Sequence, residues 1–154
     1  MDQMIAPRFT GWTGTRRGAP RVGDSAELSR TVIAADIDAF AGITGDLNPI
    51  HFDAALASAS RFGGIVVQGG VTSGLLNALV AMRLPGPGTV FLEVAWRFLK
   101  AVAPGETIIA RVLVQSVRED KPVCRLATSI VNGAGETVLD GHAVTFTVPL
   151  PDAA

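Results

Sequence analysis

The stretch GGVTSGLLNALVAMR, residues 69–83, carries the longest helical pattern in the chain. Its apolar residues recur at steps of three and four, which places them on one face of a helix. The predicted buried stripe consists of Val71, Leu75, Ala78, Leu79 and Met82. Because Pro85-Gly86-Pro87-Gly88 follows, we predict a central helix that ends near residue 83.

After this helix the sequence has the alternating pattern of β-strands. Four strands are predicted, over Thr89–Lys100, Glu106–Arg118, Val123–Val131 and Thr137–Val148. In the first of them, one side carries Val90, Leu92, Val94, Trp96 and Phe98. A short strand over Leu28–Ile33 and a helix over Asp36–Ile43 precede the central helix. Long strands joined by hairpins form an antiparallel sheet with the central helix as its cover, so we predict an α+β fold.

Composition is typical of a single globular domain. The 154 residues suit one domain, which we place at residues 23–154, after an N-terminal arm over residues 1–22. Hydrophobic residues make up 48% and charged residues 18%, which excludes intrinsic disorder. A formal net charge of −1 argues against a nucleic-acid-binding protein. Cys124 is the only cysteine, so no intramolecular disulfide and no multi-thiolate metal site can form.

No segment has the length of a membrane span, which needs about 20 mostly apolar residues. The best candidate, Val71–Leu84, is shorter and is interrupted by Gly74, Asn77 and Arg83. The N-terminus has no apolar stretch of signal-peptide length. We therefore predict a cytoplasmic protein without membrane partners. Its high apolar content indicates a large core together with a buried subunit interface.

The most unusual segment for chemistry is FAGITGDLNPIH, residues 40–51. It places Asp46 and His51 five residues apart on one loop that Pro49 stiffens. A carboxylate and an imidazole together can hold and deprotonate a water, which suits general acid–base catalysis. The alternative is purely structural, with Asp46 bonding to turn backbone. A metal site that adds Asp53 is disfavoured, because Asp53 is predicted to cap a short helix and no fourth ligand is present.

The string Gly45-Asp46-x-Asn48-Pro49-x-His51, with its flanks, resembles the signature of the MaoC-like (R)-specific enoyl-CoA hydratases, which have the hot-dog fold. Phe62–Gly69 resembles the next block of that family, and the resemblance covers about residues 22–149. It implies an antiparallel sheet wrapped around a long central helix. It also implies (R)-specific hydration of trans-2-enoyl-CoA, or the reverse dehydration, without a metal or a redox cofactor.

The resemblance assigns a role to each matching residue. Asp46 would be the base, and His51 would help to hold the water and move a proton. Asn48 and Pro49 would support the loop. The backbone N–H of Gly69, at the start of the central helix, would stabilise the negative thioester oxygen, because helix N-termini have unpaired donors and a favourable dipole.

Two supporting positions depart from the family's pattern. Gln68 stands where members commonly have His, and Asn77 stands where some have Ser. Arg83, Arg97 and Lys100 are candidates for contacts with the phosphates of CoA. An acyl-CoA substrate and a homodimer are the partners that the resemblance implies.

Two other functions stay open at this point. A non-catalytic acyl-CoA-binding module would keep the fold but would not need both Asp46 and His51. An acyl-CoA thioesterase would share the fold but usually has a different site pattern. We predict structural roles for His142, on the last strand, and for Cys124, as a small core residue.

Overall fold

The structure, a computed structural model, describes residues 11–152. Its five strands are β1 (Ser25–Thr31), β2 (Thr89–Phe98), β3 (Thr107–Val117), β4 (Val123–Asn132) and β5 (Thr137–Thr147). They form one antiparallel sheet in the order β1-β3-β4-β5-β2. Three helices, α1 (Ala34–Thr44), α2 (Ala54–Ala59) and α3 (Gly69–Met82), lie between β1 and β2 along the chain. The predicted α+β architecture, a sheet around a central helix, is confirmed.

Helix α3 contacts the sheet through a face that overlaps only partly with the predicted stripe. Its buried residues are Thr72, Leu75, Leu76, Leu79 and Val80. Of the predicted stripe, Leu75 and Leu79 are buried and Val71 packs partly buried against the core, whereas Ala78 and Met82 are exposed. The prediction failed because α3 is apolar on nearly all sides, so periodicity alone could not fix which side meets the sheet.

Strand β2 lies at the edge of the sheet and contains a bulge at Leu92. The extra residue breaks the predicted alternation. Phe91 thereby packs against the core, where its ring makes an edge contact with Trp96 at a centroid distance of 5.7 Å. Val90 and Leu92 are instead exposed, as are Val94 and Phe98 farther along the strand.

The described part of the predicted arm, residues 11–22, packs against the domain. Trp12 is only 3% exposed and belongs to the hydrophobic core, and its indole N–H donates to the Arg118 carbonyl over 2.7 Å. Arg17 donates to the carbonyl of Met82, the last residue of α3. This segment therefore covers the end of the core where α3 ends. Residues 1–10 of the predicted arm lie outside the described residues.

Two side chains that the sequence assigns to structure have ordinary partners. Cys124 is buried, its sulfur lies 3.2 Å from Thr145 Oγ1, and burial raises the pKa of its thiol. The imidazole of His142 lies across from Glu93 of β2, with Nε2 and Oε1 3.4 Å apart. No helix within residues 11–152 is long and apolar enough to cross a membrane.

Candidate active site

The loop that carries Asp46 begins where α1 ends. Gly45 has a φ of 77° and closes the helix, with its N–H donating to the Ala41 carbonyl over 2.8 Å. A left-handed residue at this point is typical of helix C-termini and favours glycine. Directly after it, the Asp46 N–H donates to Thr44 Oγ1, and Asp46 Oδ1 accepts from the Asn48 N–H over 3.1 Å. Local hydrogen bonds thus fix the carboxylate and leave Oδ2 available.

A single 3₁₀ turn, Pro49–His51, then places the imidazole. Asn48 precedes the turn, and its side-chain oxygen accepts from the Ile50 N–H over 3.4 Å. The His51 N–H donates to the Asn48 carbonyl over 3.0 Å. Asn48 and Pro49 therefore shape the loop through local contacts.

Asp53 does not join Asp46 and His51. Its Oδ1 accepts from the N–H groups of Ala55 and Leu56, both over 3.0 Å, which confirms the predicted helix cap. Within residues 11–152, no group of three or more His, Cys, Asp and Glu side chains is arranged to hold a metal ion.

His51 is held in one orientation and one tautomer. The residue is 8% exposed, and its Nδ1 lies 2.6 Å from the Val66 carbonyl oxygen. A carbonyl only accepts, so Nδ1 carries the proton, and the uncharged tautomer that this bond selects has its lone pair at Nε2. That Nε2 lies 3.7 Å from Asp46 Oδ2. The two atoms are too far apart for a direct hydrogen bond, and both are acceptors.

The start of α3 lies beside His51. In the first turn of this helix, the N–H groups of Val71 and Thr72 already donate to the Gln68 carbonyl. The N–H groups of Gly69 and Gly70 precede them and have no partner inside the helix. The Phe40 ring of α1 packs on Gly70, where an added Cβ would lie 2.2 Å from the ring. This contact fixes α1, and with it the Asp46 loop, against the beginning of α3.

Gln68 reinforces the same junction. It is 1% exposed, and its side-chain amide donates to the Ile37 carbonyl of α1 over 3.1 Å. Its Oε1 is buried without a hydrogen-bond partner. Gln68 therefore links α1 to α3, at the cost of one unsatisfied acceptor.

A cavity of about 440 Å³ opens in front of these groups. Its walls include His51, Gly69, Thr72, Phe98 and Lys100. Arg61 and Phe62 also line it. The cavity therefore combines one buried imidazole, the first turn of a helix and two cationic side chains with largely apolar walls.

Comparison with known proteins identifies the family. Residues 19–134 match the family described as MaoC like domain. The chain belongs to this family. The resemblance drawn from residues 40–51 and 62–69 is confirmed.

The relatives of this MaoC-like chain include proteins named as hydratases and dehydratases. It is 37% identical over 123 residues to the (R)-specific enoyl-CoA hydratase of Aeromonas caviae, covering 80% of the chain and 92% of the relative. It is 36% identical to the 3-hydroxybutyryl-CoA dehydratase of Methylorubrum extorquens, again over 80% of the chain and 78% of the relative. The solved structure of the (R)-hydratase from A. caviae superimposes with a TM-score of 0.80 at 35% identity, over 84% of the chain and 98% of that structure.

These comparisons confirm two predictions. The superposition on an (R)-hydratase confirms the hot-dog fold. Hydratases and dehydratases are hydro-lyases, so the prediction of a hydro-lyase is confirmed as well.

Of the predicted site residues of the MaoC-like chain, only His51, Gly69 and Lys100 line the cavity. Asp46, Asn48, Pro49 and Gln68 are next to these residues in space or in the chain but are not part of its wall. Three others, Asn77, Arg83 and Arg97, lie elsewhere. Asn77 lies on the exposed side of α3 and lines a separate cavity of about 340 Å³ with Val80 and Phe91. Arg83 follows α3, fourteen residues after Gly69, about 20 Å along the helix. Arg97 forms two hydrogen bonds with Asp140, both of 3.1 Å, on the sheet face opposite to Phe98.

Of the three candidates for phosphate contacts, only Lys100 lines the cavity, where it also pairs with Glu136. Arg61 joins Lys100 there and was missed in the sequence analysis. Its signal was available, since Arg61 directly precedes the Phe62–Gly69 block that carries the resemblance. The sequence pattern placed Phe98 on one side of the first predicted strand and gave it no role at the site, but the edge position of β2 leaves it 56% exposed at the cavity.

Proposed function

We propose that the chain catalyses the hydration of trans-2-enoyl-CoA to (R)-3-hydroxyacyl-CoA, and the reverse dehydration. The observation that carries the proposal is the pair of acceptors, Asp46 Oδ2 and His51 Nε2, 3.7 Å apart beside a cavity that also contains the first turn of α3. The relatives named (R)-specific enoyl-CoA hydratase and 3-hydroxybutyryl-CoA dehydratase support the same reaction.

Two acceptors at this distance suit one shared water. A water can donate one hydrogen to Asp46 Oδ2 and the other to His51 Nε2, which turns an oxygen lone pair away from the protein. The bond from Nδ1 to the Val66 carbonyl keeps His51 in the tautomer that this arrangement needs. Binding the water in one place makes its attack on the substrate effectively intramolecular.

In the hydration direction, the water oxygen bonds to C3 of the enoyl group. The electrons of the C2–C3 double bond move toward the thioester oxygen as the water gives a proton to the Asp46–His51 pair. C2 then takes a proton from the same pair. The net change is the addition of one water, and dehydration reverses each step.

Besides a positioned water, the reaction requires stabilisation of the negative charge that develops on the thioester oxygen. The N–H of Gly69 is a free donor at the positive end of the α3 dipole, so it can stabilise the oxygen as it becomes negative. A donor of this kind contributes about 3–4 kcal/mol to transition-state stabilisation in well-studied enzymes. The cofactor-free mechanism that the resemblance implies therefore needs only Asp46, His51 and this backbone group.

The CoA portion would leave through the mouth of the cavity. Arg61 and Lys100 line this cavity and supply the positive charge that phosphate groups require. We assign the phosphate contacts to this pair in place of Arg83 and Arg97.

We also propose that the chain forms a homodimer through β2. This strand is the edge of the sheet, and it exposes Val90, Leu92, Val94 and Phe98. An unpaired edge with apolar side chains favours pairing with a second copy of the same strand. The cytoplasmic location stays a prediction.

Crotonyl-CoA distinguishes the three candidate functions. We expect the enoyl absorbance to fall without release of free thiol, whereas thiol release would identify a thioesterase and an unchanged spectrum a binding module. Asp46→Asn keeps the shape of the loop but cannot take a proton, so turnover should fall by about 10²–10⁴-fold. Retention of more than a tenth of wild-type turnover would show that Asp46 is not the base.

Stereochemistry tests the geometry. Because Asp46 and His51 hold one water on one side of the cavity, only one face of C3 is open to attack. The product should be oxidised by an (R)-specific 3-hydroxyacyl-CoA dehydrogenase, and hydration in heavy water should add deuterium and oxygen to the same face. A product oxidised only by an (S)-specific enzyme, or a racemate, would contradict the proposal.

A further inference from the structure

Phe98, the last residue of β2, lies directly against the first residue of α3. A Cβ added at Gly69 would lie 3.1 Å from Cε1, 3.4 Å from Cζ and 3.5 Å from Cδ1 of the Phe98 ring. The ring edge therefore packs on the Gly69 backbone. The backbone of Phe98 pairs with that of the buried Leu139 in β5, which fixes the position of the Phe98 Cα.

The remainder of the ring faces open space. Phe98 is 56% exposed and lines the same cavity as His51 and Lys100. The neighbouring Gly70 has a different environment. The Phe40 ring of α1 fills the space beside the Gly70 Cα and packs between α1 and α3. Phe40 packs on Gly70 and lines a different cavity of about 400 Å³, whose wall does not include His51. Phe98 forms a wall of the cavity beside the Gly69 N–H.

Such a wall changes the strength of a neighbouring hydrogen-bond donor. Water competes with a substrate oxygen for a backbone N–H and screens the charge that develops on it. Preorganised donors stabilise an oxyanion most strongly where water is excluded. An aromatic ring in van der Waals contact with Gly69 covers one side of that donor.

We propose that Phe98 is a further substrate-contacting residue, which packs beside the thioester carbonyl and excludes water from the Gly69 N–H. The proposal rests on the hydratase function proposed above. It also explains why residue 69 is glycine. Any larger residue except proline keeps the N–H but displaces the Phe98 ring by a few tenths of an ångström, because the contact at 3.1 Å is already tight.

A double-mutant cycle tests this coupling on the full chain with crotonyl-CoA. Phe98→Ala should lower kcat about tenfold, part of the loss expected for removal of an entire oxyanion donor, with a smaller change in KM. Gly69→Ala should also lower kcat. The double variant should be no slower than Phe98→Ala alone, since the added methyl group has no ring to displace.

Leu113→Ala is the matched control, because Leu113 is a partly exposed strand residue outside the cavity. Its kcat should equal that of the wild type. The oligomeric state of every variant is measured by sedimentation at the assay concentration. A loss of activity in Phe98→Ala that follows dissociation of the oligomer would overturn the proposal, since the ring would then act through the interface.

A spectroscopic measurement separates water exclusion from general damage. In Asp46→Asn, turnover of crotonyl-CoA labelled with ¹³C at C1 is slowed about 10²–10⁴-fold, and the infrared carbonyl stretch of the bound substrate reports the hydrogen bond to the thioester oxygen. Adding Phe98→Ala should move this stretch toward its value in free solution.

Additive effects of the two single substitutions, or an unchanged stretch, would overturn the role of Phe98 while wild-type hydration remains intact. Absence of hydration by the wild type would instead overturn the proposed function, and this inference with it.

Discussion

Replacement of Trp12 by alanine should destabilise the whole domain, although sequence analysis placed Trp12 in an arm. The indole is 3% exposed in the hydrophobic core, and truncation of such a side chain costs about 3–5 kcal/mol of the free energy of unfolding. The lost hydrogen bond to the Arg118 carbonyl contributes about 1 kcal/mol of this, because that group is only partly buried and can bind water instead. We expect a total near 4 kcal/mol.

In a chain of this length, 1 kcal/mol corresponds to roughly 2–4 °C in Tm, so Trp12→Ala should melt roughly 8–16 °C below the wild type. Trp12→Phe keeps a buried ring but removes the N–H donor, and should lose only about 1 kcal/mol. Far-UV circular dichroism is the suitable probe, because it does not depend on the fluorescence of the residue that is changed. Urea titrations give the free energies.

Activity should remain normal in both variants at temperatures where they are folded. Trp12 lies at the end of the core where α3 ends, whereas Gly69 begins that helix about 20 Å away. If Trp12→Ala lowered the free energy of unfolding by less than about 1 kcal/mol, the packing of residues 11–22 against the domain would be refuted. A reduced kcat in the folded variant would refute the separation between this end of the domain and the site.

Three further predictions concern the site, the sheet edge and the stability of the fold at acid pH. His51→Asn keeps a donor near the position of Nδ1 but loses Nε2, so kcat for crotonyl-CoA should fall about 100-fold or more with little change in Tm. Val94→Glu, at the β2 edge, should yield a monomer in sedimentation experiments, whereas Leu113→Glu should leave the oligomer intact; the two positions are 44% and 45% exposed. The N–H of Ile33 donates to Asp36 and lowers the pKa of that carboxyl from its usual 3.8. The ionised Asp36 carboxylate therefore stabilises the folded state fully at pH values above the pKa of the unfolded chain. This stabilisation is lost as the pH falls through the lowered pKa of the folded state. Asp36→Asn should cost about 1 kcal/mol at about pH 6, and urea titrations should show the difference shrinking as the pH falls below 3.8.

Features built from local interactions were predictable from the sequence. Gly45, Asp46, Asn48 and His51 form their loop through bonds between residues at most four positions apart, so the string of residue types predicts the turn. Asp53 caps α2 for the same reason. The strands β3, β4 and β5 were also readable, and each of their displaced ends differs from the prediction by one residue.

Features that depend on distant partners were not predictable. Trp12 is buried in the core, and its indole N–H donates to a carbonyl more than one hundred positions away; nothing near it in the sequence indicates that contact. Arg61 and Lys100 meet at one cavity only because the segment before α3 lies beside the end of β2. The bulge at Leu92 has no signal in a stretch that alternates regularly on both sides of it.

The hydrogen bond between His51 and the Val66 carbonyl makes the imidazole a terminus for proton transfer. A carbonyl oxygen has no proton to give and cannot keep one, so Nδ1 cannot pass a proton into the protein interior. Any proton that Nε2 accepts must leave again from Nε2, on the cavity side. Exchange of that proton with bulk water is then controlled by how long the substrate closes the cavity. Isotope retained at C2 during repeated turnover would thus measure the lifetime of the closed complex.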